Sequence, residues 1–358
     1  MLPVFHLAII FPLYKLRKIL QKGRIMAKVA INGFGRIGRA IFKIMMDTPE
    51  LEVVAINDIV PIENLAYLLK YDTVYGRYEK KVDFDDKNLI VDGKKVPIPN
   101  VKDPAQLPWK KMGIDIAVES TGVFTKTEDI KKHLEAGAKF VVLSAPVKDS
   151  EIGTIVHGVN KTGKEAKIIS CASCTTNAIT QPMEIMNRRI GVKKALMTTV
   201  HAYTSSQAIV DSPSRKIRRG RAAAANFVPT STGAAIATTK ALPDLEGKFD
   251  GVAIRGPVPV GSIADIVFLA ERKTSVDEIN KIFIEESKTD RYKGVLGVAE
   301  DEFVSSDIIK DPRAAIIDLE LTQVVDGDLV KIMSWYDNEW GYSNQLVREA
   351  KSVARELK

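Results

Sequence analysis

The stretch Lys28-Val29-Ala30-Ile31-Asn32-Gly33-Phe34-Gly35-Arg36-Ile37-Gly38 narrows the choice of fold more than any other part of this chain. A short apolar run leads into G-x-G-x-x-G, and Ile41, Ile44 and Met45 follow at helical spacing, so a strand should turn directly into a helix. In that setting one glycine makes the tight turn, one lets a pyrophosphate approach the backbone, and one packs the helix on the strand. The phosphates then meet the free N–H groups of the helix N-terminus. A second strand over 52–57 ends at Asp58, twenty residues beyond Gly38, where a carboxylate accepts from a ribose 2′-hydroxyl and repels a 2′-phosphate. The pattern therefore favours NAD over NADP. Strands over 114–119 and 139–143, with a helix over 127–136 between them, continue a β-α-β rhythm and imply a parallel sheet. Its ligands should lie beyond the strand C-termini, where Ser120-Thr121-Gly122 and Ser144-Ala145-Pro146 fall.

Beyond Thr175 the rhythm changes. Long β-branched runs over 193–200, 251–255, 263–269 and 329–335 alternate with only a few helices, which reads as a second, α+β domain with a mostly antiparallel sheet. At the junction, Ser170-Cys171-Ala172-Ser173-Cys174-Thr175-Thr176-Asn177 lies between an apolar run over 166–169 and a helical pattern through Ile179, Met183, Ile185 and Met186. Cys174 should thus sit at a helix N-terminus, where backbone N–H groups favour a thiolate. The strand Met197-Thr198-Thr199-Val200-His201 ends at a histidine, the partner such a nucleophile requires. The only dense basic cluster in this half, Ser214 to Arg221, lacks interleaved aromatics, and Ser231-Thr232-Gly233 opens another helix. The last segment, 344–357, has the spacing of an amphipathic helix.

A chain of 358 residues suits two domains. The formal charge of +7 falls to about +2 once Lys15, Arg17, Lys18, Lys22 and Arg24 are set aside, so the body carries no global signal for nucleic acid or membrane. Two cysteines three residues apart fit a reducing compartment and a cytoplasmic location. Residues 1–25 run apolar first and basic second, the reverse of a secretory signal, and the apolar part is too short to span a bilayer. The expectation is that Met26 is the true start, with a surface-bound appendage or a fold-specific addition as the alternatives.

The segments Ala-Ser-Cys-Thr-Thr-Asn at 172–177 and His-Ala-Tyr-Thr at 201–204 resemble the signatures of the phosphorylating glyceraldehyde-3-phosphate dehydrogenases, and the resemblance runs from Met26 to the C-terminus. It implies a Rossmann α/β cofactor domain over 26–173, completed by a C-terminal helix over 338–358, and an α+β catalytic and oligomerisation domain over 174–337. It implies Cys174 as nucleophile and His201 as base. The cofactor NAD would be held by Asn32, Gly33, Phe34, Gly35, Arg36, Ile37, Gly38, Asp58, Arg77, Ser120, Thr121, Gly122, Ser144, Asn338 and Tyr342. Thr204 and Arg255 would hold the phosphate of glyceraldehyde 3-phosphate, and Ser173, Thr175, Thr232, Gly233 and Arg218 inorganic phosphate, with Arg219 and Arg221 left open as the loop arginine. A homotetramer is implied, and no metal.

Three positions depart from the family pattern: Cys171 where asparagine is usual, Ala178 where a second cysteine is frequent, and the loop 256–262. Erythrose-4-phosphate dehydrogenase and the semialdehyde dehydrogenases share the Cys/His logic. A non-enzymatic NAD- or RNA-binding protein is the reading from a different class, and the intact Cys174 and His201 argue against it.

Overall fold

The computed structural model describes residues 26–147, 151–163 and 165–357. The expectations for residues 1–25 lie outside the described residues.

The glycine stretch folds as its pattern requires: β1 (Ala27–Asn32) runs straight into a helix at Arg36–Met46. The chain crosses to β2 (Leu51–Asn57), makes a small antiparallel meander of β3 (Val82–Phe84), β4 (Asn88–Val91) and β5 (Lys94–Pro97), and returns on the other side of β1 as β6 (Ile116–Glu119). The sheet continues with β7 (Phe140–Leu143), β8 (Gly153–Thr154) and β9 (Ile168–Ser170), in the order β2-β1-β6-β7-β9-β8, every neighbouring pair parallel. Because β2 and β6 flank β1 on opposite sides, a crevice opens between the loops that follow β1 and β6, the place where such sheets bind ligands.

A second sheet takes the order β11-β12-β10-β13-β16-β15-β14, from β10 (Val192–Ala202), β11 (Val228–Ser231), β12 (Phe249–Gly256), β13 (Ser262–Ala270), β14 (Leu296–Ala299), β15 (Ala315–Val325) and β16 (Leu329–Tyr336). Four of its six pairings are antiparallel; β10/β12 and β14/β15 are parallel. Strict alternation of burial along β13 leaves one face for the core and one outward, as period-2 side chains require. The helices Cys174–Arg189 and Val276–Ser287 cover the inner face, where Met183, Met186, Phe268, Phe283 and Ile332 form one apolar cluster.

The C-terminal helix, Trp340–Glu356, begins four residues before the apolar spacing suggested. Asp337 explains the earlier start, since its Oδ1 accepts from the N–H groups of Glu339 and Trp340 at 2.9 and 2.8 Å. Leu346, Val347, Ala350 and Val353 of this helix join Ile31, Phe42, Ile56 and Val118 in the core of the first sheet.

Candidate active site

Cys174 opens the helix Cys174–Arg189, with Ser173 as its N-cap accepting from Thr176 N at 3.0 Å. Just before it Ala172 takes φ +56°, a left-handed conformation unusual for a residue with a Cβ, and its carbonyl is held by Tyr342 Oη at 3.0 Å. The turn thus brings Cys174 Sγ to 3.3 Å from His201 Nε2, which comes from the end of β10. Parallel pairing sets Arg255 of β12 directly opposite His201.

His201 Nδ1 lies 2.6 Å from Ala202 O, and Arg255 Nη1 donates to the same oxygen at 3.0 Å while sitting 2.6 Å from Nδ1. Nδ1 thus meets both an acceptor, Ala202 O, and a donor, Arg255 Nη1; the tautomer with the proton on Nδ1, given to Ala202 O, is the one that turns the Nε2 lone pair to the thiol. Burial, reinforced by Arg255, pushes His201 down to about 3, so the ring is a neutral base at neutral pH. Burial also pushes the Cys174 thiol up, while Arg255, the Thr175 hydroxyl and the N–H groups of Thr175 and Cys174 pull it back. This burial opposes the thiolate that the helix N-terminus favours. Desolvation is the largest influence on the thiol, ahead of the helix-end N–H groups.

Tyr336, not singled out from the sequence, lies beneath this pair. Its hydroxyl bonds Thr175 Oγ1 at 2.9 Å and Thr199 Oγ1 at 2.8 Å, and its ring meets His201 edge-on. The signal was there in the alternation of β10, which puts Thr199 and His201 on one face.

At the sheet crevice, Gly33 has φ +92°, and a Cβ there would stand 2.5 Å from Thr121 N. A Cβ on Gly38 would stand 2.1 Å from Gly33 O, whereas one on Gly35 would meet nothing within 4 Å. The open space at Gly35, in front of a helix with no side-chain cap, fits the pyrophosphate of NAD. Asp58 stands at the end of β2, one oxygen accepting from Phe34 N at 2.7 Å and the other from Val60 N at 3.0 Å, so it pins the glycine loop.

Several expected cofactor residues turn inward. Phe34 is buried against Phe42, Ile37 packs on the core, and the Arg36 side chain bonds Glu339 and Asp72. Ser120 Oγ clamps Gly33 O at 2.7 Å, while Thr121 and Asn32 bond Glu119. Gly122 takes a left-handed φ of +70° in the loop after β6, Ser144 N donates to Glu119 O, and Arg77 is exposed over the Tyr71 ring. Asn338 Oδ1 accepts from Gly261 N and Ser262 Oγ, which fixes the orientation of the amide.

The loop arginine brought to the site is Arg219. Its Nε donates to Thr230 Oγ1 at 3.0 Å and Nη1 to Ser206 Oγ at 3.3 Å, beside Thr204, and its charge helps to depress both His201 and Arg255. Arg218 is exposed on the outer side of the same turn, and Arg221 pairs with Asp211. Adjacent residues of a tight turn point in different directions, which spacing alone does not resolve. Thr232 and Gly233 precede the helix Ala234–Ala241, with open space at Gly233.

A dinucleotide crevice on a parallel sheet, with a cysteine on the helix that leaves this sheet meeting a histidine from a second sheet, defines a class of NAD-dependent oxidoreductases that work through a thiol. Residues 27–127 match the family model described as glyceraldehyde 3-phosphate dehydrogenase, NAD binding domain, and residues 173–338 the one described as its C-terminal domain. The chain belongs to the glyceraldehyde-3-phosphate dehydrogenase family. It is 47% identical over 334 residues to the glyceraldehyde-3-phosphate dehydrogenase of Streptomyces coelicolor, covering 92% of this chain and 99% of that one. Glyceraldehyde-3-phosphate dehydrogenase 1 of Bacillus subtilis is 46% identical over 331 residues (92% and 98%), and the Geobacillus stearothermophilus enzyme 46% over 330 (91% and 98%).

Proposed function

We propose that this chain oxidises glyceraldehyde 3-phosphate to 1,3-bisphosphoglycerate with NAD and inorganic phosphate. The 3.3 Å approach of Cys174 Sγ to the lone pair of His201 Nε2 carries the reading. His201 takes the thiol proton as sulfur attacks the aldehyde carbon, and returns it to the oxygen to give a hemithioacetal. It then takes the hydroxyl proton, and loss of hydride leaves a thioester on Cys174. NAD, bound at the Gly35 opening and Asp58, supplies the hydride acceptor. Inorganic phosphate attacks the thioester carbon, the carbon–sulfur bond breaks, and Cys174 is regenerated.

Arg255 and Thr204 hold the substrate phosphate. Inorganic phosphate is received by Arg219, Thr232, Gly233 and the backbone at Ser173 to Thr175; the Ser173 and Thr175 hydroxyls are already engaged by Thr176 and Tyr336. The cofactor domain comprises 26–173 and the returning helix, and the catalytic domain the remainder to 337. A homotetramer is supported by the outward face of the second sheet and the loop after β10, where Leu196 and Ile217 are 68% and 87% exposed beside Val252 and Phe227. Among the described residues no helix is long and apolar enough to cross a membrane.

The test is NAD reduction by glyceraldehyde 3-phosphate with and without inorganic phosphate. Sustained turnover only with phosphate is expected, with a burst of about one equivalent per Cys174 in its absence. Phosphate-independent turnover, or preference for erythrose 4-phosphate, overturns the reading.

A further inference from the structure

Beneath the cofactor loops runs a buried polar relay that the chemistry above leaves unused. Trp109, His133 and Glu119 are each 0% exposed. Trp109 Nε1 donates to His133 Nδ1 at 3.1 Å across nearly parallel rings. An indole N–H can only donate, so Nδ1 carries no proton, and the neutral ring holds its proton on Nε2, 3.0 Å from Glu119 Oε2. The same Oε2 accepts from Asn32 Nδ2 at 2.6 Å, while Oε1 accepts from Thr121 N at 2.8 Å and Thr121 Oγ1 at 2.5 Å. Asn32 Oδ1 in turn accepts from Asn57 Nδ2 at 2.7 Å. Among the described residues, no lysine or arginine bonds to Glu119.

A carboxyl group buried with dipoles alone is costly, and it persists only where its bonds are made in full. Its partners here come from both walls of the crevice: Asn32 opens the glycine loop and Thr121 belongs to the loop after β6. Those two loops are already in contact, since only the missing Cβ of Gly33 lets it reach Thr121.

We propose that Trp109 and His133 are positioning residues for the dinucleotide, setting NAD affinity from outside the cleft by orienting Glu119, which fixes Thr121 and Asn32. Trp109 selects the tautomer of His133; the Nε2 proton selects the orientation of the Glu119 carboxyl; and that orientation sets the spacing of the two loops. The inference rests on the reading of the crevice as the NAD site. Hydride transfer and thiol chemistry are carried elsewhere, so the relay acts on binding and not on the chemical step.

The test is calorimetric titration of the full-length protein with NAD, alongside steady-state kinetics. Absence of NAD binding by the wild type would refute the site itself, separately from the relay. His133→Leu should raise the NAD Kd by about 10- to 100-fold, the range of one hydrogen bond to a charged group. Its kcat at saturating NAD should stay within about threefold of wild type, the split expected of a binding effect. His133→Gln, whose amide can accept from Trp109 and donate to Glu119, should recover most of the affinity. Should His133→Leu not fold, Trp109→Phe keeps the ring and removes only the N–H, and its Kd should still rise about threefold or more. An unchanged Kd in the folded variants overturns the proposal, as does equal loss in the Leu and Gln variants or a fall in thermal stability with Kd unmoved.

Discussion

Replacing His201 by asparagine tests the base and its burial in one protein. The side chain lies 3.3 Å from Cys174 Sγ, and a positioned base is worth about 10²- to 10⁴-fold, or roughly 3–5 kcal/mol of barrier. kcat should fall within that range. KM for the aldehyde should move less than about threefold, because the proposed holders of the substrate phosphate are Arg255 and Thr204. The same substitution has a signature independent of turnover. Burial and Arg255 lower His201 from 6.5 to about 3, so between these values the unfolded chain binds a proton that the folded protein refuses. This contribution to stability is fully present above about pH 6.5 and is lost as pH falls toward about 3, at up to ~1.4 kcal/mol per pH unit. His201→Asn should therefore flatten the pH dependence of unfolding free energy between about pH 6 and 4, read by urea denaturation. A kcat loss under about tenfold would refute the role as base, and parallel stability slopes would refute the buried neutral imidazole.

Stoichiometric iodoacetamide should label Cys174 first and abolish turnover, with a rate that climbs into the alkaline range because the thiol is raised; a plateau already at neutral pH would contradict the desolvated thiol. Cys171 is buried, and its thiol is pushed well above the usual range, so mass spectrometry should find it unlabelled in the native protein. Asp58→Ala should weaken NAD and lessen the discrimination against NADP; a wild type that already prefers NADP in kcat/KM would sink that assignment. Arg219→Ala should raise the KM for inorganic phosphate about tenfold or more while Arg218→Ala stays within about twofold, and the reverse order would return the site to Arg218.

What the sequence revealed was what local periodicity controls. The strand–glycine–helix start, the parallel strands ending at Asp58 and Ser120, the Ser173-capped helix carrying Cys174 and the strand ending at His201 all follow from spacing and end chemistry. What it concealed depends on which strands become neighbours. That Arg255 lies opposite His201 is a matter of parallel register between β10 and β12, which no local pattern encodes. The thiol's burial is hidden for a related reason: a helix N-terminus can be read from the chain, but the groups packed around it include Tyr336 of β16, more than 150 residues away. Asn32, Ser120 and Thr121 sit where the fingerprint places them, yet their side chains bond Glu119 and Gly33, because parallel strands buried on both faces leave polar loop residues few other partners.

The helix Trp340–Glu356 also imposes an order on synthesis. Its apolar face fills the core of a sheet whose strands are all made by Ser170, so the ribosome must add roughly 170 residues before that core can close. At about 5–20 residues per second the nascent sheet waits roughly 10–30 s with Ile31, Phe42 and Val118 lacking their last cover. Until then the first half of the chain leaves open the groove that its own C-terminus fills.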